Sequence, residues 1–223
     1  MSRLRDWTYR RFWSGEIHPY RRLDARLLSL ARRGMTILDG GCGHSAPTLA
    51  GLRSSGARLI GIDRVPLAPQ EGLELIEGDL AGIPLPDHSV DLLYSRSVME
   101  HVTEPEAVYA EAWRILKPGG RWIFLTANRW DYVSLVARIV PNRLHAPIVR
   151  AFEGRDRHDV FPTAYHTNDF RQITNHAERA GFGIDCFERL SQYPAMFHNL
   201  PALFFFASLY EKALMRVGAL SAL

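Results

Sequence analysis

A glycine-rich loop carries the first residues of this chain that could bind a ligand. The run Ile-Leu-Asp-Gly-Gly-Cys-Gly occupies residues 37–43, so Asp39 shortly precedes Gly41, Cys42 and Gly43. Glycines let the backbone pass close to a ligand, and a helix that begins after such a loop offers free N–H groups. Asp63 stands at the end of the next apolar run. A carboxylate there can accept both hydroxyls of a ribose, so the pattern predicts a nucleoside-binding site.

The same loop also fits a second kind of cofactor. Gly41-x-Gly43-x-x-Ala46 satisfies the dinucleotide fingerprint, which would indicate an NAD-dependent oxidoreductase. Asp39 argues against this interpretation, because a carboxylate inside the turn would repel a pyrophosphate. It suits a ligand with a positive end, such as an ammonium or a sulfonium group. The two interpretations differ in which cofactor the protein binds.

Two further pairs of residues are expected beside the same ligand. Asp79 and Leu80 follow the third apolar run, where a carboxylate can accept a hydrogen bond from an adenine amino group. Ser95 and Arg96 end the fourth run. In an open α/β sheet, ligands bind outside the carboxyl ends of the strands, so both pairs should lie at that edge.

Three histidines are candidates for a general base. His101 follows the fourth strand, and His158 and His166 lie in an irregular stretch of mixed proline, arginine and aromatic residues. An unperturbed histidine titrates near pH ~6.5, which suits it to take the proton of a hydroxyl group. The alternative for His101 is an orienting or structural role, and for the other two a charged loop surface.

The elements that position these residues alternate between strands and helices. Strands are predicted at 35–39, 58–63, 73–77, 89–95, 121–127 and 182–190, and helices at 48–53, 105–116 and 169–180. This alternation predicts an α/β fold, with a doubly wound, mostly parallel sheet covered by helices on both faces.

Three regions are expected along the chain: a basic, aromatic segment over 1–34, a ligand-binding domain over 35–190 with an irregular insertion at 128–168, and an apolar helix over 191–223. The first holds nine arginines within residues 1–33, which could meet an anionic partner or form a solvated helix face. Its aromatic residues fit a lid over the site or a packing anchor. The apolar tail fits a core helix, a homodimer surface or a helix lying on a membrane.

Composition excludes several other classes of protein. The 223 residues are 47% hydrophobic and 23% charged, which excludes wholesale disorder. Two cysteines cannot build a disulfide framework, so we expect a reducing compartment and a cytoplasmic protein. Peripheral contact with a membrane through the C-terminal helix is one interpretation of the apolar tail. The sequence shows no zinc-type cysteine–histidine spacing, no secretory apolar region and no nucleic-acid-binding module.

Five motifs together resemble a known family. ILDGGCG, GID, EGD, VDLLYSRSVMEHV and LKPGGRWIF, in this order and spacing, are similar to those of the class I S-adenosylmethionine-dependent methyltransferases, in the branch acting on small molecules and lipids. The resemblance is strong over residues 35–127 and weaker over 165–190. It implies a Rossmann-like sheet of the seven-strand type, and the family's seventh strand is not apparent in this sequence.

The resemblance implies S-adenosylmethionine as the cofactor, S-adenosylhomocysteine as the product, and no metal, because the acidic ligands of metal-dependent members are missing. Its motifs assign cofactor contacts to Asp39, Gly41, Cys42 and Gly43 (methionine), Asp63 and Arg64 (ribose), Asp79 and Leu80 (adenine), and Ser95 and Arg96 after the fourth strand. Ser45 replaces the third glycine of the family's pattern.

The expected reaction is methyl transfer to a small-molecule or lipid-like acceptor, at oxygen. The run Ser95-Arg96-Ser97-Val98 stands where enzymes that methylate the amino groups of bases carry an Asp/Asn-Pro-Pro-Tyr/Phe run. An in-line displacement needs positioning and dehydration, with a base for a hydroxyl acceptor, so His101, His158 and His166 are the catalytic candidates. The alternative is a catalytically silent module that binds the cofactor and acts by protein association.

Overall fold

The computed structural model describes residues 2–128, 130–132 and 163–220, with side chains as far as residue 216. The chain divides into two compact units. We call Tyr20–Thr126 with Thr163–Cys186 the sheet unit, and Met1–Pro19, Ala127–Pro162 and Phe187–Leu223 the helical unit. The expected domain boundaries at residues 34 and 190 stay predictions, as does the expected insertion, most of which lies outside the described residues.

In the part of the chain that the structure describes, the sheet has five parallel strands: β1 Thr36–Gly40, β2 Arg58–Asp63, β3 Glu74–Glu77, β4 Val90–Arg96 and β5 Leu116–Leu125. Their spatial order is β3-β2-β1-β4-β5. The chain order reverses beside β1, because β1 pairs with β2 on one side and with β4 on the other. Such a reversal opens a crevice at the carboxyl ends of the strands, where ligands of open α/β sheets bind.

The described helices are α1 Arg3–Phe12, α2 Pro19–Leu30, α3 Pro47–Ala50, α4 Pro105–Ile115, α5 Phe170–Ala180 and α6 Pro201–Leu220. The limits of α5 follow from its sequence. Asp169 accepts a hydrogen bond from the N–H of Gln172 (2.8 Å) at its start, and Gly181 adopts φ +97° at its end. None of the helices in the described residues is long and apolar enough to cross a membrane.

Apolar residues of β1 point alternately to two cores. Ile37 packs with Leu27 of α2 on one face of the sheet, and Leu38 packs with Ala112 and Ile115 of α4 on the other. All of these side chains are almost fully buried. Burial on both faces is typical of a parallel sheet, and it explains why each strand is a short continuous apolar run in the sequence. The predicted doubly wound α/β fold is confirmed.

The predicted sixth strand at 182–190 is wrong. These residues are described, and they form no strand. Phe182 instead packs edge-on against Trp113, with ring centroids 5.0 Å apart, and against Trp122 at 6.0 Å. The chain then leaves the sheet unit after Cys186. Phe182 thus packs in an aromatic cluster, and residues 182–190 form no strand beside β5.

Candidate functional site

Asp39 and Tyr94 form a buried pair at the carboxyl ends of β1 and β4. The side-chain hydroxyl of Tyr94 donates a hydrogen bond to Oδ2 of Asp39 (2.7 Å), and Asp39 is 3% exposed. Burial raises the pKa of Asp39 to about 7, and the nearby Asp63 adds to this, while the Tyr94 hydrogen bond and the Arg96 charge oppose it. A cationic ligand group brought to this carboxyl would therefore favour its ionised form.

Tyr94 was missed in the sequence analysis. Burial and the neighbouring Asp39 raise its pKa, so the phenol stays protonated and acts as a donor. One signal could have found it, because the two residues are partners in the parallel register of β1 and β4. Two polar side chains at neighbouring ends of apolar strands are expected to pair rather than to remain unsatisfied in a core.

The glycine loop approaches the segment after β4 closely at one point and leaves open space at another. Gly41 has φ +85°, and a Cβ added to it would overlap Cγ2 of Val98. Gly43 has φ +70°, and an added Cβ would meet no atom within 4 Å. Both positions need glycine for their backbone conformation, but only the second borders a space that a ligand could fill.

Asp63 holds the loop in this shape. Its Oδ2 accepts a hydrogen bond from the N–H of Gly43 (2.7 Å), and its Oδ1 accepts one from the N–H of Val65 (3.2 Å). A carboxylate offers about four acceptor positions, so each oxygen keeps capacity for another donor such as a ribose hydroxyl. Asp63, which is predicted to bind the ribose, thus also has a structural role at the end of β2.

Asp79 is engaged within the chain. One of its oxygens pairs with the guanidinium of Arg64, and the other accepts the N–H of Ala81 (2.9 Å). Burial alone would raise the pKa of Asp79, but these hydrogen bonds and the Arg64 charge outweigh it and lower that pKa. Leu80, the next residue, lies against Gly40 of β1. Contact of this pair with an adenine stays a prediction.

Ser95 and Cys42 line the carboxyl ends of the strands. Ser95 is 1% exposed, and its Oγ has no hydrogen-bond partner in the part of the chain that is described. A buried hydroxyl without a partner beside a cofactor crevice fits a site that a polar ligand completes. Cys42 packs against Gly61, and burial with the two nearby carboxylates raises the pKa of its thiol to about 12. The thiol is therefore protonated and inert.

Arg96 is held by two residues of α2 that were not predicted. Its guanidinium lies over the ring of Tyr20, 4.8 Å from the centroid, and 3.8 Å from Oδ1 of Asp24. The hydroxyl of Tyr20 also shares a hydrogen bond with Oγ of Ser97 (2.9 Å), which has φ +56°. The basic segment before β1 therefore contributes residues to the loop after β4.

A second buried polar network follows β4, and it too was missed. Oγ1 of Thr126 donates to Oε2 of Glu100 (2.9 Å), and Nδ2 of Asn168 donates to Oγ1 of Thr126 (2.9 Å). The carbonyl of Glu100 accepts the N–H of Ala164 (2.8 Å). Glu100 is 6% exposed. The network ties the loop after β4 to the end of β5 and to the residues before α5.

The structure describes two of the three candidate histidines. His101 ends a short 3-10 helix at Met99–His101, is partly buried, and follows Glu100 of the polar network. His166 is exposed, and His158 lies outside the described residues. A role as general base stays a prediction for all three. Among residues 2–128, 130–132 and 163–220, no group of three His, Cys, Asp or Glu side chains could hold a metal ion.

Comparison with known proteins identifies the domain. The family model described as "Methyltransferase domain" matches residues 38–124. A sterol 24-C-methyltransferase of Pneumocystis carinii is 32% identical over 117 residues, which are 45% of this chain and 30% of that protein. A 24-methylenesterol C-methyltransferase 2 of Oryza sativa subsp. japonica is 30% identical over 166 residues, which are 69% of this chain and 43% of that protein. The chain thus spans less than half the length of these curated relatives.

The fold is similar to that of a solved structure that covers most of the chain. It comes from the Haloferax volcanii complex between the Trm112 methyltransferase activator and a methyltransferase. The TM-score is 0.59 at 21% identity, with 85% of this chain and 81% of that chain covered. At this identity the likeness concerns the fold.

Proposed function

The chain belongs, through residues 38–124, to the class I S-adenosylmethionine-dependent methyltransferases, and on this basis we propose that it transfers a methyl group from S-adenosylmethionine to a lipid-like acceptor. The family and the cofactor predicted from the five motifs are confirmed. The observation that carries the proposal is the buried Asp39–Tyr94 pair beside the loop that Asp63 holds open. In an NAD-binding protein, a carboxylate at that point would repel the pyrophosphate of the cofactor.

The residues at the strand ends fit the cofactor group by group. Asp39 would face its cationic amino acid end, the free acceptor positions of Asp63 would receive the ribose hydroxyls, and the space beside Gly43 would admit the chain between them. Ser95 offers a buried hydroxyl that lacks a partner. When bound, S-adenosylmethionine supplies an electrophilic methyl group on a sulfonium. The protein contributes positioning and exclusion of water.

The lipid-like acceptor is supported by the relatives that are named sterol methyltransferases. Methylation at oxygen is what the sequence predicts, with His101 closest in the chain to the loop after β4 and able to take a hydroxyl proton. Transfer to carbon is a second candidate, because both relatives are named C-methyltransferases. The buried carboxylate of Glu100, one residue before His101, is the alternative proton acceptor for that chemistry.

The test is transfer of isotope from methyl-labelled S-adenosylmethionine into a total lipid extract, followed by mass spectrometry of the labelled product. We expect label in the lipid phase with the wild-type protein and with Asp185→Ala, an exposed carboxylate in the sheet unit, and none with Asp63→Ala. A methyl group released by alkaline hydrolysis marks an ester oxygen, and one that survives ether cleavage marks carbon. Tight cofactor binding by calorimetry with no labelled product would instead support the silent module.

A further inference from the structure

Helix α6 carries its apolar side chains on the outside. Leu203, Phe206 and Leu209 are 50%, 64% and 46% exposed, and they recur every three residues along one face. The exposed positions of this face are Ala202, Leu203, Phe206, Leu209, Ala213 and Arg216. Isolated exposed apolar residues are common on protein surfaces, but a continuous face of them marks an interaction site.

Two polar residues of α6, Ser208 and Glu211, face inward and fix its orientation. Ser208 is fully buried, donates a hydrogen bond to the carbonyl of Phe204 (2.6 Å) and accepts one from Nε1 of Trp13 (2.9 Å). Glu211 is 1% exposed and accepts the N–H groups of Tyr132 (3.0 Å) and Gln192 (3.3 Å). Turning the apolar face inward would break the three hydrogen bonds that Ser208 and Glu211 accept from Trp13, Tyr132 and Gln192, which is costly for buried groups. The hydrogen bonds on the buried face of α6 therefore keep Phe206 on the exposed face.

Helix α1 extends the apolar face and adds positive charge. The ring of Trp7, 49% exposed, lies 6.1 Å from the ring of Phe205 on α6. The exposed positions of α1 are Arg3, Leu4, Trp7, Tyr9, Arg10 and Arg11. The single acidic residue of this helix, Asp6, is paired with Arg5 at 3.2 Å. Every exposed residue described on the two helices is thus apolar, tyrosine or arginine.

From this surface we infer that α1 and α6 dock the protein on an anionic lipid bilayer. Apolar and aromatic side chains reach the boundary between headgroups and acyl chains, and the arginines meet lipid phosphates and anionic headgroups. A second copy of the chain is a poorer occupant, because a two-fold interface brings like surfaces, and here like charges, together. The inference rests on the surface alone and does not depend on the proposed reaction, although a bilayer is where a lipid-like acceptor dissolves.

The test is co-sedimentation of the full chain with vesicles of phosphatidylcholine that contain roughly one-third phosphatidylglycerol. We expect binding that weakens as salt increases and is nearly absent on pure phosphatidylcholine. Phe206→Glu should bind at least about tenfold more weakly, because it loses a buried aromatic side chain and gains a negative charge. Arg10→Ala and Arg11→Ala should each bind about fivefold more weakly on the anionic vesicles.

The matched control is Leu28→Glu, since Leu28 is 52% exposed on α2 in the sheet unit. It should bind vesicles like the wild type. Circular dichroism and calorimetry with S-adenosylmethionine on each variant separate lost docking from lost folding and from lost cofactor binding. Equal binding by Phe206→Glu and wild type would overturn the proposal. So would a concentration-dependent dimer, without vesicle binding, that Phe206→Glu abolishes, because the face would then belong to a second copy.

Discussion

The strands of the sheet unit and helix α6 of the helical unit distribute their apolar side chains differently. In the sheet unit, apolar residues such as Ile37 and Leu38 are fully buried, and charged groups gather at the strand ends. In the helical unit, Ser208 and Glu211 are buried while Phe206 and Leu209 of the same helix are exposed. The apolar side chains of the strands are buried, as their hydrophobicity predicts. In α6, the buried hydrogen bonds of Ser208 and Glu211 determine which face lies inside, and this leaves an apolar surface outside.

The contrast within α6 predicts the largest effect. Phe204→Ala should lower the free energy of unfolding by about 3–5 kcal/mol, because Phe204 is fully buried and its loss leaves a cavity. Phe206→Ala, two residues away, should change it by less than ~0.5 kcal/mol, as expected for an exposed site. Urea unfolding followed by circular dichroism measures both. Similar losses in the two variants would mean that the outer face is covered in the folded protein.

The glycine loop provides a matched pair in the sheet unit. Gly41→Ala should destabilise the fold by about 2–4 kcal/mol, because it combines a positive φ with an overlap on Val98. Gly43→Ala should cost only about 1–2 kcal/mol, since it bears the backbone strain without the overlap. Thermal unfolding compares them. Adding Val98→Ala to Gly41→Ala should restore part of the loss, and no restoration would contradict the close approach.

Removal of the Asp63 carboxylate should weaken cofactor binding about 100-fold. Charge-assisted hydrogen bonds of this kind contribute roughly 1.5–3 kcal/mol each, and the variant also frees the N–H of Gly43. Isothermal titration calorimetry with S-adenosylhomocysteine measures the affinity of Asp63→Ala. Asp185→Ala serves as the control, because this exposed carboxylate lies 3.9 Å from Arg121 in the middle of β5, before the carboxyl end of that strand.

The smallest expected effect is the pH dependence of cofactor binding, which tests whether Asp39 faces a cationic group of the cofactor. The pKa of this carboxyl is raised to about 7, chiefly by burial, so much of it is protonated below that pH. A cationic ligand group beside it lowers the pKa and releases a proton. Affinity for S-adenosylmethionine should therefore rise with pH, by at most about tenfold per unit, and level off above about 7. Asp39→Asn should remove this dependence, and a pH-independent wild type would show that no cation approaches Asp39.

Short sequence patterns predicted the structure correctly where neighbouring residues determine it, and incorrectly where distant residues do. Asp169 and Gly181 mark the ends of α5 as predicted, because capping residues act within one turn. The strand predicted at 182–190 is absent, because a short apolar run does not show whether its side chains will join a sheet or pack in an aromatic cluster. Tyr20 could not be predicted as a partner of Arg96, since the two are far apart in the chain and meet only through packing.

Sequence patterns alone were enough to locate the five strands along the chain and the residues that end them. In a parallel sheet every strand ends at the same edge, so Asp39, Asp63 and Ser95 had to share one crevice once the strands were recognised. Tertiary structure alone decided the protonation of Asp39, because that depends on how completely its surroundings exclude water. It also decided which face of α6 is exposed, because Trp13 and Tyr132, which are distant in the sequence, donate hydrogen bonds to Ser208 and Glu211 on the buried face.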